Sequence, residues 1–291
     1  MRSLDELKGA LTPIKEKGFV PTEGMDMDAL IADMLIHIGT PDNTVRDGLI
    51  YSAFGTWTDE KILTPAQMKH MLFTCLDENH LFYKVGENGS DSVFTRTFSA
   101  LVVALAFAYH DKHEAFLTIA EITDIKNTVL RYVGLERDFR GYVESKGWAH
   151  AAAHIADVLA NIAGVEFATD TESGYNIGRA ALLEVLDAAK SLVCNRYSVY
   201  TAEEDERLVP VVNMALSHEI LTEDELKAWI KGFYPTDKMW YEGTVPEDYY
   251  IHVNRKYFMR SLYFNFMECE ENEFDNVRVK EMCEFLLDLL K

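Results

Sequence analysis

Residues 146–161 read KGWAHAAAHIADVLAN, five polar side chains set among six alanines. On a helix advancing about 100° per residue, Lys146, His150, His154, Asp157 and Asn161 share a stripe about 80° wide. Trp148, Ala152, Ile155, Leu159 and Ile162 fall opposite, so Trp148 is expected to buttress the helix from the core side. Ala149, Ala153, Ala156 and Ala160 form a flank that admits a neighbouring backbone. Three chemistries fit the stripe. Histidines at i and i+4 can converge on a divalent metal, with Asp157 adding an oxygen ligand. The same imidazoles can bind an organic ligand or move protons, because they titrate near neutrality and a carboxylate tunes them. Or the stripe satisfies inter-helix hydrogen bonds and nothing more.

Other segments offer groups that could join the histidines. Arg46 and Asp47 are adjacent in DNTVRDGLIYSAFGTW. In SDSVFTRTFSAL, Asp91 precedes the run and Ser92, Arg96 and Ser99 share one side. In EEDERLVPVV, Glu203 and Arg207 stand one turn apart, with Glu204 and Glu206 between them. In HVNRKYFMRSLYFNF, Asn254, Ser261 and Asn265 share a face. Singly, each is what a solvated helix face looks like, worth a few tenths of a kcal/mol at most. Together they recur in the second helix of successive pairs, and that recurrence points to a shared groove. The candidate ligand-binding set is Arg46, Asp91, Arg96, Lys146, His150, His154, Asp157, Glu204, Arg207 and Asn254. Arg96 and Lys146 would hold an anionic group, while His150, His154 and Asp157 would read hydrogen bonds. The candidate metal set is His150, His154 and Asp157. No GxSxG, GxGxxG or GxxxxGK[ST] occurs, so nothing in the chain argues for nucleophilic or nucleotide chemistry. FYPTDKMWYEG and PEDYYIH could rim a ligand groove, or pack inside.

The elements that must position these groups read as helices throughout. Ser3 with Glu6, Thr64-Pro65 with Gln67, Thr201 with Glu204 and Thr222 with Glu225 are helix-start signatures. Apolar residues recur at three and four, as at Leu30, Met34 and Ile38 or Leu101, Leu105 and Ala108. The predicted pairs are 25–39 with 43–56, 65–77 with 91–110, 119–134 with 144–163, 175–194 with 202–218, and 223–233 with 248–268. A last helix covers 275–290. Second helices return about every 50 residues, the spacing of helical-hairpin repeats. The expected fold is a single all-α domain over 1–291, a HEAT/armadillo-like α-α superhelix of stacked hairpins whose second helices line one concave surface.

Bulk properties exclude several partners. The 291 residues are 48% hydrophobic and 26% charged, enough for a large core. A formal charge of −20 repels phosphate backbones and anionic lipid, so neither nucleic acid nor membrane is an expected partner. No apolar run is read as long enough to span a bilayer, and MRSLDELKGAL lacks a signal-peptide pattern, so a cytoplasmic location is expected. Cys75, Cys194, Cys269 and Cys283 are scattered and form no zinc-binding or disulfide pattern.

The run RDFRGYVESKGWAHAAAHIADVLA resembles the most distinctive block of an uncharacterised bacterial family catalogued as domain of unknown function 2785. GSDSVFTRTFSAL, the EEDERLV segment and NRKYFMRSLYF resemble three further blocks, and the likeness extends from about Leu7 to Phe266. The resemblance implies a soluble, helical-repeat-like fold and no particular activity. Its blocks carry over onto Arg46-Asp47, Asp91 to Ser99, Arg140 to Asp157, Glu204 to Arg207, and Asn254 with Arg260 to Tyr263. The function expected from residues and resemblance together is binding of a peptide or small polar ligand. The alternative is a metal-dependent hydrolase or lyase using His150, His154 and Asp157, with Glu204 or Glu206 as base. A scaffold for protein assembly is the third class.

Overall fold

Side chains that reach back to their own helix starts set much of the architecture. Ser3 and Glu6 cap each other at the head of α1 (Leu4–Glu16). Thr64 and Gln67 do so for α4 (Pro65–Cys75), Thr118 and Glu121 for α6 (Ile119–Leu135), and Thr222 and Glu225 for α10 (Glu223–Lys231). Each reciprocal pair satisfies two backbone N–H groups that a helix start otherwise leaves without partners. The fourth expected signature differs. Glu204 is itself the first residue of α9 (Glu204–Ser217), and its Oε2 accepts from the N–H groups of Thr201 and Ala202, at 3.1 and 2.9 Å.

The computed structural model describes residues 1–167, 175–217, 219–234, 245–270 and 276–290. Most of FYPTDKMWYEG lies outside these, and of its two described residues Phe233 is buried. The described chain is all-α apart from two antiparallel pairs of two-residue strands, β1 (Tyr142–Val143) with β2 (Gly147–Trp148) and β3 (Glu166–Phe167) with β4 (Tyr175–Asn176). The remaining helices are α2 (Met27–Ile36), α3 (43–59), α5 (Ser92–Lys112), α7 (Ala151–Gly164), α8 (Arg179–Val193), α11 (Pro246–Glu270) and α12 (Asn276–Leu290). The middle of α3, Arg46–Tyr51, is wound as a π-helix.

Three of the five predicted pairs pack directly, α4 on α5, α6 on α7 and α8 on α9, whereas α2 packs mainly on α4 and α10 mainly on α12. Second helices pack in chain order, α3 on α5, α5 on α7, α7 on α9 and α9 on α11. Behind them α2 packs on α4 and α6 on α8. The centre is α5, of whose 21 residues 16 are buried. It is long and apolar enough to cross a membrane by length and composition, which corrects the expectation that no such run exists. Its most apolar window is 83% buried inside the fold, where it serves as the core helix. Gly39 lies so close to α5 that a Cβ there would fall 2.6 Å from the Thr95 Cα. Helix α7 lies between α5 and α9. Its alanines explain the fit: Ala152, Ala153 and Ala156 are at most 1% exposed, and small side chains let helix axes approach.

Candidate functional site

The helix expected over 146–161 begins only at Ala151. Residues 142–148 are a hairpin instead, pairing Tyr142 with Trp148 and Val143 with Gly147. The ladder continues as the Ala149 N–H donates to Gly141 O and the His150 N–H to Arg140 O. Its turn needs positive φ at Ser145 (61°) and Gly147 (86°), and a glycine supplies the second at no steric cost. Helical spacing could not reveal this, because the polar stripe continues across a stretch whose backbone is committed to the hairpin. His150 then turns strand into helix in the left-handed region, φ 49° and ψ 41°. Few residues adopt that conformation without strain, histidine among the better ones.

Two expected placements change as a result. Lys146 leaves the helical stripe and sits in the hairpin turn, its Nζ salt-bridged to Asp91 at 2.7 Å. Trp148 is 43% exposed, so it does not buttress α7 from the core. It packs against His150 from the outer side, ring centroids 4.3 Å apart, with Tyr142 edge-on behind it at 5.0 Å.

His150 and His154 remain neighbours, centroids 5.8 Å apart. His150 Nε2 is buried without a hydrogen-bond partner and lies 3.8 Å from Glu204 Oε1, beyond hydrogen-bond reach. Glu204 is 1% exposed. Burial raises its carboxyl pKa against the pull of the backbone N–H groups it accepts from. Burial also lowers the His150 pKa, and the nearby Arg207 adds to it. Gly141 makes room for the pair, since a Cβ there would fall 2.9 Å from Glu204 Oε1.

His154 rests edge-on against Phe98 at 5.5 Å, and its Nδ1 is buried without a partner. Burial, reinforced by His150 and Arg207, pushes its pKa down to about 3, although the ring donates to the Thr97 backbone carbonyl. Asp157 pairs with Arg207 across α7 and α9. Burial raises the Asp157 pKa and that pairing opposes the rise. Asp157 was expected as a third metal ligand, but its carboxylate is engaged by the guanidinium. Among the described residues, no group of three His, Cys, Asp or Glu side chains is placed to hold a metal ion. Glu206 is exposed on α9 and lines a groove with residues of α11.

Phe98 joins this cluster to Arg46. The Arg46 guanidinium is fully buried and stacks over Phe94 at 4.1 Å and Phe98 at 4.5 Å. It donates to Thr40 O at 2.9 Å and to Lys146 O at 2.7 Å, fastening the hairpin turn to α3. Asp47 Oδ2 lies 2.7 Å from Arg46 Nη2, a charge contact without the alignment of a hydrogen bond. Arg46 Nε has no partner. Tyr51, at the end of the π turn, meets Phe98 edge-on at 6.0 Å. Its hydroxyl pKa is raised by burial and then by Asp157.

Two candidates lie elsewhere and are fully used. Arg96 is buried and gives Nε and Nη2 to Glu136, at 2.6 and 2.8 Å, and Nη1 to Ser92 Oγ and Tyr83 O. It has no donor left for an anionic ligand. Asn254 accepts from the Tyr200 N–H and donates to Ser198 O, which fixes the loop before α9. Sequence reasoning missed Glu136, Phe98, Tyr51 and Gly141. Glu136 stands in the charged run ERDFR, which reads as surface. Only the arginine on another helix shows that it is buried.

No curated protein and no solved structure matches this chain. The matching family model, "Protein of unknown function (DUF2785)", covers the hairpin, α5, α7, α9 and most of α11, and therefore the whole His150–Glu204 cluster. The chain belongs to this DUF2785 family, matched over residues 81–264.

Proposed function

We propose that the cluster around His150, His154 and Glu204 binds a small polar ligand carrying a hydroxyl or amine. The observation that carries this reading is the 3.8 Å gap between His150 Nε2 and Glu204 Oε1. An oxygen or nitrogen set beside that gap can lie about 2.8 Å from both atoms. A hydroxyl there would donate to the carboxylate and accept from the ring, so a single group satisfies both. Trp148 supplies an aromatic wall on the solvent side. Oppositely perturbed acids and imidazoles in one place are what binding and acid/base sites have in common. The stack of helix pairs also supports a HEAT-like superhelix, and the charge of −20 suits a cytoplasmic location.

The test is a thermal-shift and tryptophan-fluorescence screen of polyols, amino acids and short peptides. A compound that stabilises the wild type should fail with His150→Ala and with Glu204→Gln, while circular dichroism shows both variants folded. A compound that binds all three proteins equally would place its site elsewhere and defeat the reading.

A further inference from the structure

Tyr51 follows Arg46 by five residues, yet both side chains meet one ring. The Arg46 guanidinium lies 4.5 Å over Phe98, and Tyr51 meets the same ring edge-on at 6.0 Å. In an α-helix five residues turn about 500°, which sets such positions about 140° apart. The stretch Arg46–Tyr51 is wound as a π-helix, whose i→i+5 hydrogen bonds bring positions five apart toward one side. Tyr51 is thereby turned toward α5, where His154 also packs edge-on against Phe98.

Tyr51 arrives there with its hydroxyl unused. The residue is half-buried, and the hydroxyl makes no hydrogen bond among the described residues. After burial, the charges of Asp157 and Arg207 act on it most. Arg207 is itself only partly used. It donates to Asp157 through Nη2, makes no other side-chain hydrogen bond among the described residues, and is 52% exposed. A guanidinium has five donors, so it can hold Asp157 and a second carboxylate together.

One turn earlier on α9 the chemistry reverses. Glu204 gives Oε2 to the backbone donors of Thr201 and Ala202, and Oε1 faces His150. No lysine or arginine among the described residues pairs with this carboxylate. The His150 ring with its proton on Nδ1 leaves the buried, unpartnered Nε2 as an acceptor. Two acceptors 3.8 Å apart suit a group with several N–H donors, and a primary ammonium has three. Residues three apart on a helix are surface neighbours, so the acceptors beside Glu204 and the donors beside Arg207 lie next to each other. A zwitterion meets an opposite charge at each end there and adds no net charge to a chain of −20.

Building on the small-ligand reading of this site, we propose that the ligand is a free amino acid: its ammonium bridges Glu204 Oε1 and His150 Nε2, and its carboxylate accepts from Arg207 and the Tyr51 hydroxyl. Trp148, packed on His150 at 4.3 Å from the outer side, is left to meet the amino acid's side chain.

The experiment titrates the full chain with each of the twenty standard L-amino acids by calorimetry, then compares the best binder with its decarboxylated amine and its deaminated acid. At least one amino acid should bind with a Kd below about 1 mM, and each analogue about tenfold more weakly. Tyr51→Phe and Arg207→Gln should each weaken the amino acid about tenfold and leave the amine's affinity unchanged. Glu204→Gln and His150→Ala should weaken both. Three results would overturn the proposal. One is that Tyr51→Phe and Arg207→Gln weaken amine and amino acid alike, as a purely structural role would. Another is an amine that binds as tightly as its amino acid, which keeps the small-ligand reading and removes the carboxylate end. The third is no amino acid binding below about 1 mM, in which case polyols and short peptides still test the site itself.

Discussion

Lowering the pH from 7 to 5 should destabilise the wild type by about 2 kcal/mol more than a His154→Gln variant. In the folded chain the His154 ring is kept neutral, with a pKa near 3 set first by burial and then by His150 and Arg207. In the unfolded chain it titrates near 6.5. The folded value is the lower one, so between these limits the unfolded state binds the extra proton and stability falls as pH falls. At pH 5 the unfolded ring is almost fully protonated and the folded ring is not. The difference is about 1.5 pH units at 1.36 kcal/mol each, or about 2 kcal/mol. Glutamine keeps an amide donor for the Thr97 carbonyl and carries no charge at either pH. His150 and the raised carboxyls of Glu204 and Asp157 titrate in both proteins, so their contributions largely cancel in the comparison. Urea melts followed at 222 nm at the two pH values measure the difference. An excess loss below about 0.5 kcal/mol, or titration near 6.5 of the imidazole resonance that disappears in His154→Gln, would refute the assignment of His154 as a buried neutral ring.

Arg96→Met should cost about 3–5 kcal/mol in a urea melt, because it strands the buried Glu136 carboxylate; adding Glu136→Gln should recover part of that, and an additive double mutant would count against the pair. Ala153→Leu should cost about 1–3 kcal/mol by overpacking α7 against its neighbours, and an unchanged midpoint would show that flank to be open. Gly39→Ala should cost at least as much, since the clash is with the Thr95 backbone, which a rotamer change cannot relieve. Pro210→Ala should stabilise α9 by about 1–3 kcal/mol by restoring a helix hydrogen bond to the Glu206 carbonyl, and an unchanged or lower melting temperature would count against it.

The helices were legible because their signals are local. Thr64, Pro65 and Gln67 declare a start within four residues, and the 3.6-residue period marks the buried face of each helix. The hairpin at 142–148 was not legible, since KGWAHAAAH satisfies the helical period as well as the structure it adopts. What decides against helix there is tertiary: Arg46, a hundred residues away, donates to the Lys146 carbonyl. Arg96 and Asn254 show the same limit. Sequence placed them on the right helices, but whether a polar side chain meets a ligand or another part of the chain depends on partners such as Glu136 and Tyr200. His150, His154, Asp157, Glu204 and Arg207 lie together because His150 immediately precedes α7 and the other four fall within the first two turns of α7 and α9.

That location has an electrostatic consequence. Asp157 faces Arg207, and Gly164 approaches Met214 two turns on, so α7 and α9 run parallel with their N-termini at one edge. The pairs Asp205 with Ser261 and Asn213 with Asn265 give α11 the same direction. Helix N-termini carry partial positive charge from their unpaired N–H groups. Side by side they oppose protonation of His150 and His154, in the same sense as Arg207. The same groups stabilise a carboxylate, which limits how far burial can raise Glu204. The edge thus holds an imidazole and a buried carboxyl 3.8 Å apart without joining them in a hydrogen bond. Two left-handed residues, His150 and Glu203, begin the two helices and fix that separation through the backbone. A ligand group that bridges the gap therefore meets both partners already in place, and the side chains need little reordering to bind it.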